Sequence, residues 1–341
     1  MPVNHPTRRQ WLAWMLATTT AAACDTAPTP QAPPAATPPP TPAPPQTAHT
    51  EPSTPPKPSK PAPSVQTEPA RTPPKPAKPH TWHRLDFPSR RGRPRKQRAM
   101  ILDGGGPVLI ALHGLGETRT LDAGARGWKD DYLLDEAYSR LLNPPLKATD
   151  FRNLVAADRL TAINAALKTN PFPGLTVACP FTPNLMHGWS GEAKAYGRFL
   201  LQELMPEIAR TTGRDTQKDI QDRRVAIDGV SLGGRVAMLV GLTHPEVFGV
   251  VGAMQPAFRH NELGRVVELA KEASKQHPQT IRLMTSTRDH FKPIVTALSQ
   301  RFHKAGIKHD LLITPGPHDY VWNQGPGAIE MLHFHSRLGR P

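Results

Sequence analysis

From Arg98 onward the chain alternates short apolar runs with stretches of helical spacing, and this alternation limits its possible folds more than any other feature. The runs Arg98–Leu102, Val108–Leu112, Leu175–Ala178, Arg224–Asp228, Phe248–Ala253, Ile281–Ser286 and Lys308–Ile313 read as strands, with Trp82–Phe87 as an added edge strand. Several are continuously apolar rather than alternating, as strands buried on both faces are. Between them, Leu154–Leu167, Tyr196–Ala209, Leu232–Leu242, Lys292–Lys304 and Pro326–Leu338 carry helical patterns. Strands interleaved with helices build a mostly parallel, twisted sheet with helices on both faces, so the expected class is α/β.

The N-terminal quarter obeys different rules. Residues 27–80 hold 21 of the chain's 41 prolines, one valine and no Phe, Trp or Tyr. Such a segment cannot bury enough apolar surface to offset its chain entropy. It reads as a Pro-rich disordered stalk, with a polyproline reach of up to roughly 160 Å. The expected division is therefore an export segment over 1–26, the stalk over 27–80 and a single catalytic-sized domain over 81–341.

The export reading rests on two local signals. Arg8-Arg9 precedes Trp11-Leu12 and thirteen mostly apolar or small residues ending at Ala23. That stretch is shorter than the roughly 20 residues a spanning helix needs, and suits a signal segment of the twin-arginine type. Ala21-Ala22-Ala23-Cys24 resembles a bacterial lipobox, with Ala21 where such boxes usually carry leucine. Cys24 is then a lipidation site that anchors the chain to a membrane of the bacterial cell envelope. The alternative is simple cleavage after Ala23. The only other cysteine, Cys179, reads as a buried core thiol, and two cysteines exclude a disulfide scaffold or a four-cysteine zinc site.

The net charge of +14 is unevenly placed. Residues 84–98 contribute +6, whereas residues 99–341 contribute only +4. A near-balanced domain argues against a nucleic-acid partner. The run Arg90–Lys96 contains Arg-Gly-Arg-Pro, which resembles a minor-groove arm. It occurs once and lies between two strands, so it reads as a solvated basic turn.

One constellation carries chemistry. Gly229-Val230-Ser231-Leu232-Gly233 follows a strand directly and opens a helix. This is the Gly-x-Ser-x-Gly elbow in the context it requires. A sharp strand-to-helix turn crowds the backbone, which calls for glycine at 229 and 233 and projects the Ser231 hydroxyl outward. The helix N-terminus offers N–H groups to a developing anion. A serine nucleophile needs a base, and the base an orienting carboxylate, in the chain order serine, acid, histidine. Asp289 and His318 each lie just past a strand end, where the active-site loops of parallel sheets gather. The oxyanion donors expected are the backbone N–H of Leu232 and one from the loop after Val108–Leu112, either Leu115 or Gly114. His113 reads as a packed loop histidine, and His333-Phe334-His335 does not read as a metal site. Trp128 and Trp189 are candidate substrate-binding residues at a pocket rim.

With these residues in place, 107–335 resembles an α/β-hydrolase of the putative-esterase family, which includes enterochelin-esterase-like and feruloyl-esterase-like proteins. The resemblance lies in His113-Gly114, the helix Tyr196–Ile208, Gly229–Gly234, Phe248-Gly249, Pro256-Ala257-Phe258, Asp289, and His318 with Trp322. It departs at Asp228, a carboxylate where the family usually has a small residue; bonding to the neighbouring backbone is the expected role. The resemblance implies the α/β-hydrolase fold and a Ser231–His318–Asp289 triad that cleaves a carboxylic ester through an acyl-enzyme without a cofactor. A small-molecule or polysaccharide-linked ester is the implied substrate. A peptidase or acyltransferase on the same triad, and a non-catalytic envelope-binding lipoprotein, are the alternatives.

Overall fold

In a computed structural model the described residues are 80–88, 96–186 and 191–337. The export segment, Cys24, the stalk except His80, the Arg90–Arg95 portion of the basic run and Trp189 lie outside them.

Eight strands form one sheet in the order β1-β2-β4-β3-β5-β6-β7-β8. In chain order the elements are β1 (Thr81–Phe87), β2 (Gln97–Asp103), β3 (Val108–Leu112), α1 (Leu121–Arg126), α2 (Leu134–Leu142), α3 (Ala157–Thr169) and β4 (Thr176–Pro180). Next come α4 (Gly191–Phe199), α5 (Met205–Thr212), α6 (Thr216–Gln221), β5 (Val225–Gly229), α7 (Leu232–Thr243), β6 (Val250–Met254) and α8 (Leu263–Gln276). The chain closes with β7 (Thr280–Arg288), α9 (Lys292–Lys304), β8 (Asp310–Pro317), α10 (Tyr320–Trp322) and α11 (Ala328–His335). A π-helical turn, Leu200–Leu204, joins α4 to α5. β1, β2 and β4 pair antiparallel, and every pairing from β4 through β8 is parallel. The expected α/β class and mostly parallel sheet are what the chain adopts.

The residues explain the layers. Every position of β3, β4, β5 and β6 is buried, which is why these strands read as unbroken apolar runs. Side chains alternate faces along a strand, so each strand feeds two cores. Val108, Ile110 and Leu112 join α4, α5, α7, α8 and α9 on one face. Leu109 and Ala111 join α1, α2, α3 and α11 on the other. Five helices lie outside the sequence-based set: α1, α2, α6, α8 and α10. α8 buries Leu263, Val266, Val267, Ala270 and Ala273, a helical stripe set among many charged residues. α2 begins after Leu133, whose φ of 52° is left-handed, and it lacks a side-chain cap, so no start signal marks it. Cys179 is a free, buried thiol whose burial pushes its pKa up, consistent with a packing role.

Candidate active site

The Ser231 elbow is built by close backbone packing. β5 ends at Gly229, Val230 bridges to Met254, and Ser231 takes φ 59° and ψ −115° before α7 begins at Leu232. For a residue bearing a Cβ this is a strained conformation, of the kind found at functional turns. It survives because neighbours fix it: Ser231 N–H donates to Met254 O at 2.9 Å, and Ser231 O accepts from Ala257 N–H at 3.0 Å. A Cβ on Gly229 would lie 2.5 Å from the Gly233 carbonyl carbon, and one on Gly233 would lie 2.3 Å from Leu112 O. Both expected glycines are therefore sterically required.

Asp289 and His318 meet as the spacing suggests. His318 Nδ1–H donates to Asp289 Oδ1 at 2.9 Å, which leaves Nε2 as the nitrogen free to act on a proton. Asp289 also accepts from the Thr285 hydroxyl at 2.6 Å and from Phe291 N–H at 2.9 Å. Burial alone would raise this carboxyl, but the His318 bond and charge and the other two donors hold it below the ordinary carboxylate value. Asp289 thus organises the entry to α9 as well as His318, although the residue in the cap position is Phe291. Asp319 instead caps α10 by accepting from Trp322 N–H at 2.9 Å.

The residue before His318 is bonded to the residue that follows β6, the strand beside the elbow. Gln255 adjoins Met254, the strand partner of the elbow, and its side-chain amide donates to Pro317 O at 3.1 Å and to Ser286 Oγ at 2.8 Å. Ser286 Oγ donates in turn to Pro317 O at 3.1 Å. Among the described residues Ser231 Oγ makes no hydrogen bond, to His318 or to any other side chain.

The loop after β3 gives a sharper view of the oxyanion donors. Gly114 N–H is already engaged, donating to the Tyr132 hydroxyl at 3.0 Å. Of the three candidate donors, Gly114 is therefore not available. Leu115 and Leu232 N–H have no backbone acceptor among the described residues. His113 is buried and packed, as expected: Nδ1–H donates to Gly114 O at 2.7 Å and Nε2 accepts from Thr182 N–H at 2.8 Å. Burial depresses its pKa.

Trp128 is not a rim residue. It is fully buried in the core beside α1–α3 and stacks edge-on against Tyr132 at 4.9 Å. The π-helical turn Gly127–Asp131 rotates it inward although charged residues follow it in sequence. His290, next to Asp289 in sequence, also neighbours His318. Its ring centroid lies 4.5 Å from that of His318, and burial followed by the His318 charge lowers its pKa. Asp289, His290 and His318 each present a ligand atom within 4.8 Å of the others. An ion there would have to displace the Asp289–His318 hydrogen bond.

Asp228 does more than bond the adjacent backbone. Its Oδ1 accepts from Gly229 N–H at 2.7 Å, while Oδ2 accepts from Arg282 Nη2 at 2.9 Å and from His335 Nε2 at 2.7 Å. All three side chains are buried, and Arg282 stacks on Phe334. This ion network beneath the elbow ties β5 to β7 and α11. Nothing in the local sequence around 228 points to it.

Comparison with known proteins agrees with this architecture. A family model described as "Putative esterase" matches residues 180–322, which span Ser231, Asp289 and His318. No curated protein matches the chain. Among solved structures, a ferulic acid esterase matches at 17% identity and TM-score 0.53, covering 76% of this chain and 99% of its own. Fluorophosphonate-binding serine hydrolase F of Staphylococcus aureus matches at 12% identity and TM-score 0.52, covering 76% of this chain and 99% of its own. S-formylglutathione hydrolase of Staphylococcus aureus matches at 12% identity and TM-score 0.50, covering 78% of this chain and 99% of its own. At such identities the likeness is one of fold. The elbow, the mostly parallel sheet and these structural matches give the chain an α/β-hydrolase fold, and its stretch 180–322 is similar to a putative-esterase domain.

Proposed function

We propose that the protein is an exported serine esterase in which Ser231 is the nucleophile, His318 the general base and acid, and Asp289 the group that fixes His318. His318 Nε2 takes the Ser231 proton as Oγ attacks the acyl carbon. The oxyanion is held by Leu232 and Leu115 N–H. His318 then gives that proton to the departing alkoxide as the acyl–oxygen bond breaks. Water, deprotonated by the same nitrogen, releases the acid from Ser231. Asp289 keeps the proton on Nδ1 and stabilises the imidazolium.

The observation that carries this reading is the 2.9 Å bond from His318 Nδ1–H to Asp289, made by two strand-end loops of the sheet whose central strand ends in the strained Ser231 elbow. The twin-arginine pair and Ala21–Cys24 support export and lipid anchoring on the cell envelope. A small-molecule or polysaccharide-linked ester fits an enzyme held there on a long stalk.

The test is fluorophosphonate labelling of the purified chain beside Ser231→Ala and His318→Ala, with acetate- and butyrate-ester hydrolysis read in the same samples. Labelling at Ser231, lost in both variants together with turnover, is the expected result. A folded chain that neither labels nor hydrolyses would overturn the assignment. Metabolic labelling with a palmitate analogue, compared with Cys24→Ala, tests the anchor separately.

A further inference from the structure

The loop after β3 and the loop after β8 lie far apart in the sheet. Their strands are separated by β5, β6 and β7. At the usual strand spacing that is roughly 19 Å. Oxyanion stabilisation and proton transfer nevertheless need both loops at the same serine.

Glu117 joins them. It lies in the 3-10 turn Gly116–Arg119, just beyond Leu115, and is 1% exposed. Its Oε2 accepts from the Tyr132 hydroxyl at 2.6 Å, and its Oε1 accepts from the Tyr320 hydroxyl at 2.6 Å. The Tyr132 oxygen in turn accepts from Gly114 N–H at 3.0 Å. Tyr320 follows His318 by two residues. One carboxylate therefore holds the backbone beside Leu115 with one oxygen and the histidine loop with the other. The fit is built: a Cβ on Gly127 would lie 2.9 Å from Glu117 Cγ. Burial, then the Glu117 charge, raises the pKa of both phenols, so both stay protonated as donors at neutral pH. Burying a carboxylate is costly unless its oxygens are satisfied, and an apolar residue would fill the space without that cost.

We propose that Glu117, Tyr132 and Tyr320 form a positioning clamp that sets the Leu115 oxyanion donor and the His318 base in register. None of the three reacts. By holding Gly114 N–H, Tyr132 also leaves Leu115 as the loop's donor. This inference rests on the esterase reading above.

The experiment compares full-length wild type, Tyr132→Phe, Tyr320→Phe and the double variant, with Glu117→Gln as an isosteric third site. Phenylalanine keeps each ring in place, so folding is preserved, whereas Glu117→Ala would leave a cavity and remove the acceptor that both phenols share. Each sample is assayed for kcat and KM on p-nitrophenyl butyrate, fluorophosphonate labelling rate and melting temperature. Each single tyrosine change should lower kcat and labelling roughly tenfold to a hundredfold, with KM within about threefold, as small misplacements do. The double variant should fall little below the worse single, because both arms act through one carboxylate. Variants that melt earlier yet keep wild-type kcat would reduce the network to a structural role and overturn the clamp, as would losses that multiply independently. A wild type that neither labels nor turns over would instead overturn the esterase reading, and the clamp with it.

Discussion

Replacing Asp228 with alanine tests whether the buried network holds the nucleophile strand. The change removes the acceptor for Arg282, His335 and Gly229 N–H in a region with no solvent to replace it. Breaking a buried ion pair from one side costs about 3–5 kcal/mol, because the remaining charge is stranded. Domains are stable by only about 5–15 kcal/mol. At about 2–4 °C per kcal/mol for a domain of this size, the melting point should fall by roughly 6–20 °C. Asp228→Asn keeps an oxygen for Gly229 N–H but leaves Arg282 without a counter-charge, so its loss should be smaller but clear. The assay is urea unfolding followed by tryptophan fluorescence at neutral pH, with wild type alongside.

The geometry supplies an internal control. A Cβ on Gly252 would lie 2.0 Å from Asp228 Oδ2. Gly252→Ala should therefore be poorly tolerated in wild type but much better tolerated once Asp228 is alanine, since the new methyl enters the vacated space. Coupling of this kind is expected of contacting residues, whereas independent sites add. A loss below about 1 kcal/mol in Asp228→Ala would refute the ion-network account. So would strictly additive effects of the two substitutions.

Other outcomes follow from the same contacts. Asp289→Asn should keep the fold and lower kcat by about three to four orders of magnitude, because the amide no longer fixes the Nδ1–H tautomer; a loss under tenfold in ester hydrolysis would contradict that role. Gly233→Ala should destabilise by at least about 1–3 kcal/mol and also lower kcat, since the methyl would press on Leu112 O and on His113 O at 2.6 Å; unchanged melting and turnover would contradict the steric argument. Burial followed by nearby Arg337, Arg159 and Arg282 lowers the His333 pKa to about 3, and burial lowers that of His335 against the pull of Asp228. A depressed histidine stabilises fully above its unfolded value near about 6.5 and loses that contribution as pH falls towards the folded value. Melting temperature should therefore decline from about pH 6.5 downward, and less steeply in His333→Phe; parallel curves would refute the assignment.

The contrast between what was legible and what was not has one physical origin. Buried strands announce themselves through continuous apolar runs, and each of the eight expected strands occurs within a few residues of its place. The Ser231 elbow and the Asp289–His318 pair were legible because each sits in a distinctive local context: a crowded turn, then two strand ends. Polar partners carry no such period. Glu117 lies in Gly-Glu-Thr-Arg, which has the composition of a solvated turn, and its partner Tyr320 is 203 residues away. Arg282 sits inside β7 and His335 inside α11, where only the folded sheet brings them to Asp228. Trp128, expected at a pocket rim, instead lies buried in the core within the π-helical turn Gly127–Asp131. The residues proposed to react are thus placed by short-range rules, and those proposed to align them by contacts across the sheet. In this chain two carboxylates outside the triad do the aligning: Asp228 beneath the elbow, and Glu117 between the oxyanion and histidine loops. A substitution at either would leave every catalytic motif in the sequence intact while disturbing the geometry on which those motifs depend.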